Sequence, residues 1–235
     1  MAQHNSNTDI VSGSPPIFID DDALLLQSDD NTVGHEFIFP SCYKGHLKGI
    51  LIPHKDIVER TIELAKTIRN DFGNTRPLLL CVLKGASTFF HLLLSCLQEE
   101  KFSFTYEFIR AKSYEGTSST GTVSITGLPM LNTQNKTSVI VIEDIIDTGI
   151  TLSKMIPLLQ EQLSPERLEV CSLLEKRHTA SSAMAPAYRA QYVGFSIPNE
   201  FVVGFGLDFE EQYRDLGDVW VMSEYGISQG GKVDF

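Results

Sequence analysis

Two short, uninterrupted apolar runs constrain this chain more than anything else in it. PLLLCVLKG (Pro77 to Gly85) and SVIVIED (Ser138 to Asp144) show no alternation of apolar and polar residues. A strand with one wet face alternates, so runs of this kind belong in a sheet covered on both sides. A helical pattern follows each. After the first, Ala86, Phe89, Phe90, Leu93, Leu94 and Leu97 form one apolar stripe at helical spacing. After the second comes LSKMIPLLQEQL, where Pro157 predicts a kink or a later helix start, because proline well inside a helix costs about 3 kcal/mol. KDIVERTIELAKTIRNDFG (Lys55 to Gly73) predicts another helix, with Val58, Ile62, Ala65 and Ile68 inward and a glycine cap. Strands alternating with helices predict βα units around a mainly parallel sheet with helices on its flanks. FSFTYEFIR (Phe102 to Arg110), LEVCSLLEK (Leu168 to Lys176), QYVGF (Gln191 to Phe195), EFVVGFGLD (Glu200 to Asp208) and DVWVMS (Asp218 to Ser223) read as the remaining strands. KSYEGTSSTGTVSITG (Lys112 to Gly127) is rich in Ser, Thr and Gly and reads as an exposed loop or mobile ribbon.

Charge and cysteine usage narrow the function classes. A formal net charge of −11 over 235 residues argues against non-specific binding to nucleic acid or to anionic membrane. It leaves room for a small anionic ligand held by a local cluster. None of Cys42, Cys81, Cys96 and Cys171 forms a C-x-x-C pair, so neither a zinc knuckle nor a redox motif is suggested. The N-terminus lacks the basic-then-apolar pattern of a secretory signal, and no apolar run approaches the ~20 residues that span a bilayer. The expectation is a soluble, cytoplasmic protein.

The polar clusters stand at strand ends, where ligands bind in parallel sheets. They are Lys84-Gly85, Glu143 to Thr151, Lys176-Arg177 and Asp208 to Arg214. In VIVIEDIIDTGITL (Val139 to Leu152), the turn Thr148, Gly149, Ile150, Thr151 offers amides, hydroxyls and a helix N-terminus, a combination that binds phosphate. Glu143, Asp144 and Asp147 would repel that phosphate unless they serve sugar hydroxyls, a magnesium ion or a transferring proton. A phosphorylated sugar therefore fits better than phosphate alone. No P-loop is present, and after Gly204 and Gly206 the third position of a dinucleotide fingerprint is Phe209. As isolated features, these acids could simply be N-terminal helix charges, and a strand-end lysine is more often solvated than functional.

EDIIDTGITL resembles the phosphoribosyl-diphosphate (PRPP) binding motif of type I phosphoribosyltransferases. CVLKGASTFF, KSYEGTSSTG, SLLEKR and YVGFSIPNEFVVGFGLDFEEQYRDL are similar, in order, to further segments of one branch, the eukaryotic hypoxanthine-guanine phosphoribosyltransferases. The resemblance runs from about Phe37 to Glu224. It implies transfer of the 5-phosphoribosyl group from PRPP to hypoxanthine or guanine, giving IMP or GMP and pyrophosphate through a ribosyl-cation-like transition state. By the same resemblance Asp147 is the general base near the purine N7, and Glu143 and Asp144 hold the ribose hydroxyls directly or through Mg2+. Asp147, Thr148, Gly149, Ile150 and Thr151 cradle the 5′-phosphate, while Lys84, Gly85 and Arg214 meet pyrophosphate. Lys176 donates to the 6-oxo group, Phe201 stacks on the base, and Val202 contacts its edge. Asp208 lies by the purine 2-position and serves a magnesium ion, with two ions expected in the closed complex. Ser113 and Tyr114 form the tip of a mobile loop (about 112–126), and the Leu83-Lys84 bond is a candidate cis peptide.

The Ser, Asn, Pro and Asp content of the first thirty or so residues reads as an acidic, partly ordered arm over 1–34, followed by a transferase domain over 35–225 and a tail over 226–235. A small hood of N- and C-terminal segments, about 196–222 for its purine-binding part, sits on that domain. PRPP and a 6-oxopurine are the expected substrates, and a homodimer or homotetramer the expected assembly. Departures from the family pattern are Ile150 for a lysine of some relatives, Ala86 and Ser87 in the pyrophosphate loop, and Gly206, expected to loosen the strand beside the base. Among rivals, a PRPP-sensing regulator could dispense with Asp147, and a magnesium-binding receiver domain would not explain D-T-G-x-T. Lys176 with Phe201 disfavours adenine and pyrimidines but leaves xanthine open.

Overall fold

The structure, a computed structural model, describes residues 13–21, 39–113, 123–128, 137–178 and 187–233. Its strands are β1 (Ile17–Phe18), β2 (Leu47–Ile52), β3 (Leu78–Val82), β4 (Thr105–Ser113), β5 (Val123–Thr126), β6 (Ser138–Ile146), β7 (Arg167–Lys176), β8 (Tyr192–Ile197), β9 (Val202–Val203) and β10 (Val219–Met222). Its helices are α1 (His54–Phe72), α2 (Ser87–Glu99), α3 (Ile150–Leu163) and α4 (Glu224–Ser228).

Seven strands form one sheet in the order β1-β8-β7-β6-β3-β4-β5, parallel throughout except for the β4–β5 pair. The unalternating runs are buried on both faces, as expected. Leu79 and Cys81 of β3 and Ile140 and Ile142 of β6 join the core under α1 and α2. Leu78, Leu80, Val139 and Val141 join a second core under α3. The α2 stripe is buried at every predicted position.

Several expectations need correction. The inward face of α1 is Ile57, Thr61, Leu64, Ala65, Ile68 and Phe72, leaving Val58 and Ile62 half-buried. The residue pattern permits either stripe, and packing against β8 and α2 selects this one. Helix α3 begins at Ile150 and runs through Pro157 without a later start. Pro157 lies on the exposed side, where its missing N–H leaves a carbonyl one turn back that water can reach. Part of the Lys112–Gly127 segment is not loop: β5 pairs antiparallel with β4, Arg110 opposite Thr126 and Ser113 opposite Val123. The strand read over Glu200–Asp208 shrinks to Val202–Val203, because Gly204, Phe205 and Gly206 all take positive φ.

A second sheet, β2-β10-β9, joins N- and C-terminal segments over the ends of the main sheet's strands. Strand β2 has no counterpart among the strands expected from the sequence. At the other edge, β1 lies parallel to β8. Arg60, buried in α1, donates to the carbonyls of Pro15, Val193 (2.8 Å) and Gly194 (3.0 Å). Arg177 donates to Ser196 O at 2.5 Å and to Ile19 O, and lies 3.8 Å over the Phe18 ring. Among the described residues no helix is long and apolar enough to cross a membrane.

Candidate active site

Strand order places the site. Chain connections leave β3 toward β4 on one side and β6 toward β7 on the other, so direction reverses between the adjacent β3 and β6. A crevice opens beyond the carboxyl ends of strands at such a reversal. Two of the predicted clusters meet there. Gly85 lies so close to Asp144 that a β-carbon on it would stand 1.6 Å from Oδ2. No side chain fits, so the Lys84-Gly85 turn rests directly on the acidic end of β6. The Leu83-Lys84 peptide is cis.

The chain leaving β6 makes the phosphate-type turn read from the sequence. Gly149 is the left-handed residue before α3 (φ 72°) and has no side chain with which to cap that helix. The Thr148 hydroxyl instead makes a long contact with Ile150 N, the first helical amide. Glu143 and residues 145–152 line a cavity of about 110 Å³. Exposed Ile150 contributes its amide, which faces Thr148 Oγ1 at 3.4 Å.

Glu143 and Asp144 are the electrostatic centre of the crevice. Burial pushes both carboxyls above their ordinary range, and for Glu143 the neighbouring Asp144 adds to the rise. Backbone amides and the Arg214 guanidinium pull Asp144 partly back; its Oδ1 accepts from Ile145 N at 2.8 Å. Cys81 below them is pushed up to about 12 by burial and then by these two carboxylates.

Asp147 stands at the cavity's rim, its side chain half exposed, with a partner on each oxygen. Lys176 Nζ, at the end of β7, is 3.1 Å from Oδ2, and His178 Nε2 is 3.0 Å from Oδ1. The lysine side chain is mostly buried, so its charge is directed rather than solvated. Phe201 is 39% exposed and meets Phe209 edge-on at 4.9 Å, while Val202 is buried in β9. Phe205 belongs to the core.

The turn after β9 brings the remaining cluster over the crevice. Arg214 pairs with Asp208 at 2.8 Å, donates to Gly206 O at 2.7 Å and reaches Glu211 at 3.4 Å. Lys84 also meets Glu211, at 2.8 Å. Glu211 thus bridges the two predicted pyrophosphate cations, and Lys84 holds its carboxyl below the ordinary range. Gly206 does not loosen this region. With φ at 96°, its β-carbon would stand 2.4 Å from Gly85 O, so glycine is what lets the turn rest on the Lys84-Gly85 loop.

The structure thus brings Gly85 to Asp144, Lys176 to Asp147, Arg214 to Asp208, and Lys84 and Arg214 together over Glu211, with three qualifications. Glu143, Asp144 and Asp208 do not surround one point: among the described residues no three His, Cys, Asp or Glu side chains are placed to hold an ion. Ser113 ends β4, and Tyr114 lies outside the described residues. His178 and Glu211 were missed. His178 stands two residues past a strand end, a signal that could have flagged it; Glu211 carried no signal apart from the charge density of its turn.

A family model described as "Phosphoribosyl transferase domain" matches residues 50–210. The hypoxanthine-guanine phosphoribosyltransferases of Rattus norvegicus and Homo sapiens are 38% and 37% identical over 219 residues, covering 91% of this chain and 95% of each relative. A solved hypoxanthine phosphoribosyltransferase from Staphylococcus aureus superposes with a TM-score of 0.69 at 32% identity, covering 80% of this chain and 98% of its own. A Trypanosoma cruzi hypoxanthine phosphoribosyl transferase, solved in work on how its C-terminal region affects oligomeric state and activity, gives 0.70 at 29%, covering 79% and 96%. With these matches spanning the sheet, the crevice and the turn above it, the chain belongs to the phosphoribosyl transferase family, on its hypoxanthine-guanine branch.

Proposed function

We propose that this protein is a purine-salvage enzyme that transfers the 5-phosphoribosyl group of PRPP to hypoxanthine or guanine, forming IMP or GMP and releasing pyrophosphate. The observation that carries the reading is the pair at the crevice mouth, Lys176 Nζ 3.1 Å from Asp147 Oδ2. A cationic donor beside an anionic acceptor complements a ring edge with a carbonyl oxygen next to a ring N–H. That is the O6/N7 edge of a 6-oxopurine. Adenine would set its amine against the ammonium, donor to donor.

In this reading the ring enters between Lys176 and Asp147 and stacks on the exposed face of Phe201, with Val202 at its edge. Asp147 accepts the N7 proton as the bond to the sugar forms. The amides from Thr148 to Thr151 and the N-terminus of α3 receive the 5′-phosphate, Ile150 N exchanging its long contact with Thr148 Oγ1 for a phosphate oxygen. Lys84, the Gly85 amide and Arg214 receive pyrophosphate, displacing Glu211 from both cations. Ser113 and Tyr114 would close over the reaction and exclude water.

Magnesium fits the residues present. Glu143, Asp144 and Asp208 offer hard oxygen donors, and two buried carboxyls with raised pKa are a setting that a nearby divalent charge relieves. We place one ion toward Glu143–Asp144 and a second toward Asp208. Substrate oxygens and water would complete each shell, since Mg2+ is commonly held by one or two carboxylates with phosphate oxygens. When bound, the ions supply positive charge to the pyrophosphate oxygens. All four cysteines are free, which supports a reducing compartment such as the cytoplasm. A homodimer or homotetramer is proposed by analogy with the family.

Steady-state kinetics of Lys176→Met test the base-edge reading. KM for hypoxanthine and guanine should rise at least about tenfold, as a lost charged hydrogen bond of about 1.5–3 kcal/mol requires, with KM for PRPP little changed. An unchanged purine KM would contradict it.

A further inference from the structure

The reading of Asp147 as general base leaves unexplained what aims its carboxylate, a short side chain at the rim of an open crevice. We propose that His178 is the positioning residue that fixes this carboxylate for proton abstraction; the proposal rests on that reading of Asp147.

The geometry is specific. His178 Nε2 lies 3.0 Å from Asp147 Oδ1 and 3.0 Å from the backbone carbonyl oxygen of the same residue. Both are acceptors only, so the ring nitrogen between them carries the hydrogen. The tautomer is fixed by its partners, and the ring acts as donor whether neutral or charged. The N–H donates to the Asp147 carbonyl and stands 3.0 Å from Oδ1 of the same residue, so the side chain is turned back toward its own backbone. Rotation about either side-chain bond of Asp147 breaks the Oδ1 contact.

The two carboxylate oxygens are thereby divided. Oδ1 belongs to His178 and Oδ2 faces Lys176. When a purine takes the lysine as its own donor, the contact on Oδ2 must be shared or lost. The contact on Oδ1 asks nothing of the ligand and can persist through the reaction. The His178 side chain is itself only 14% exposed, and it follows a residue held on three sides. Arg177 N donates to Ile197 O at 2.9 Å, and its guanidinium grips Ser196 O and Asp21 at 2.5 Å each. The imidazole thus stands on the β7–β8 platform, while the carboxylate it holds stands at the end of β6. A catalytic group held this way reaches the reacting atom in one orientation, and misplacement of about 1 Å can cost on the order of 10²-fold.

The experiment measures kcat and both KM values, with melting curves, for His178→Leu, His178→Gln, Asp147→Asn and the double variant Asp147→Asn/His178→Leu. We expect His178→Leu to lower kcat about tenfold or more, with KM for PRPP and the melting temperature close to the parent. His178→Gln, which keeps an N–H donor, should recover most of that loss. In the Asp147→Asn background, His178→Leu should cause little further loss, because the histidine acts through the carboxylate. Parent-like kcat in His178→Leu overturns the proposal, as does the same fold loss in both backgrounds, or no recovery with Gln. If Asp147→Asn alone keeps parent-like kcat, the base reading itself fails and the proposal with it. A strong Asp147→Asn defect beside a silent His178→Leu removes only the proposal.

Discussion

At the scale of single residues, the site is built from charges held against their preference. Glu143 and Asp144 are neighbours in sequence at the end of a buried strand, and both carboxyls are raised by burial. The folded chain therefore binds these protons more tightly than the unfolded chain. Stability from this source is complete below the unfolded carboxyl range and is lost as pH rises through the raised folded values. Glu143→Gln removes one titration. Without magnesium or PRPP, the melting temperature of the variant should gain on the parent's as pH rises from about 5 to about 8. A gap that stays constant over that range would contradict the electrostatic account. The residue types here were legible in the sequence, because acids against D-T-G-x-T already imply sugar, metal or proton chemistry. The pairings were not. Glu211 lies 127 positions from Lys84, and His178 lies 31 from Asp147. Only the folded turn and the β6–β7 register bring them together.

At the scale of elements, periodicity succeeded where one packing solution exists and failed where two compete. The α2 stripe admits one inward face, and the fold uses it. Helix α1 carries apolar residues on adjoining faces, and its burial is decided by its neighbours. The segment after β9 shows the opposite failure. GFGLD looks apolar enough for a strand, yet positive φ at Gly204, Phe205 and Gly206, and then at Glu210, Glu211 and Tyr213, makes it a compact turn. Non-glycine residues at positive φ are uncommon and strained, and persist where surrounding contacts hold them. Those contacts are visible: Tyr213 OH meets His46 Nδ1 at 2.6 Å, Tyr213 N donates to Tyr43 OH, and Tyr43 OH donates to Asp215 at 2.7 Å. This buried network links the second sheet to the turn that carries Asp208 and Arg214. Helix α3 offers the cleanest test of a local cost. Pro157 is exposed within it, so Pro157→Ala restores a backbone donor and removes the ring from the preceding turn. Thermal unfolding should show a gain of about 1–3 kcal/mol, or roughly 2–4 °C for each kcal/mol in a chain of this size. An unchanged or lower melting temperature would show that α3 is already adapted to the proline.

At the scale of the whole molecule, two sheets divide the work. The parallel sheet delivers the ends of β3, β6 and β7 to one crevice, and the small sheet holds the Asp208–Arg214 turn above it. The sequence's alternation of elements was enough to expect the first. The second joins residues 47–52 to 219–222, a long-range pairing with no local signal. The acidic chain keeps its cations where a phosphorylated ligand would meet them: Lys84 and Arg214 lie in ion pairs with Glu211 or Asp208, and Lys176 with Asp147. The Lys84–Glu211 pair lies at the solvent edge, where ion pairs contribute little to stability, so an incoming phosphate can exchange for that carboxylate. The central claim is that Asp147 and Lys176 read and deprotonate a 6-oxopurine beside bound PRPP. The most direct test is magnesium-dependent pyrophosphate release with PRPP and, separately, hypoxanthine, guanine, xanthine and adenine, for the parent and Asp147→Asn. The account predicts turnover with hypoxanthine and guanine, none with adenine, and a fall of about 10²–10⁴-fold in the variant. Turnover with adenine, or an Asp147→Asn enzyme as fast as the parent, would contradict it.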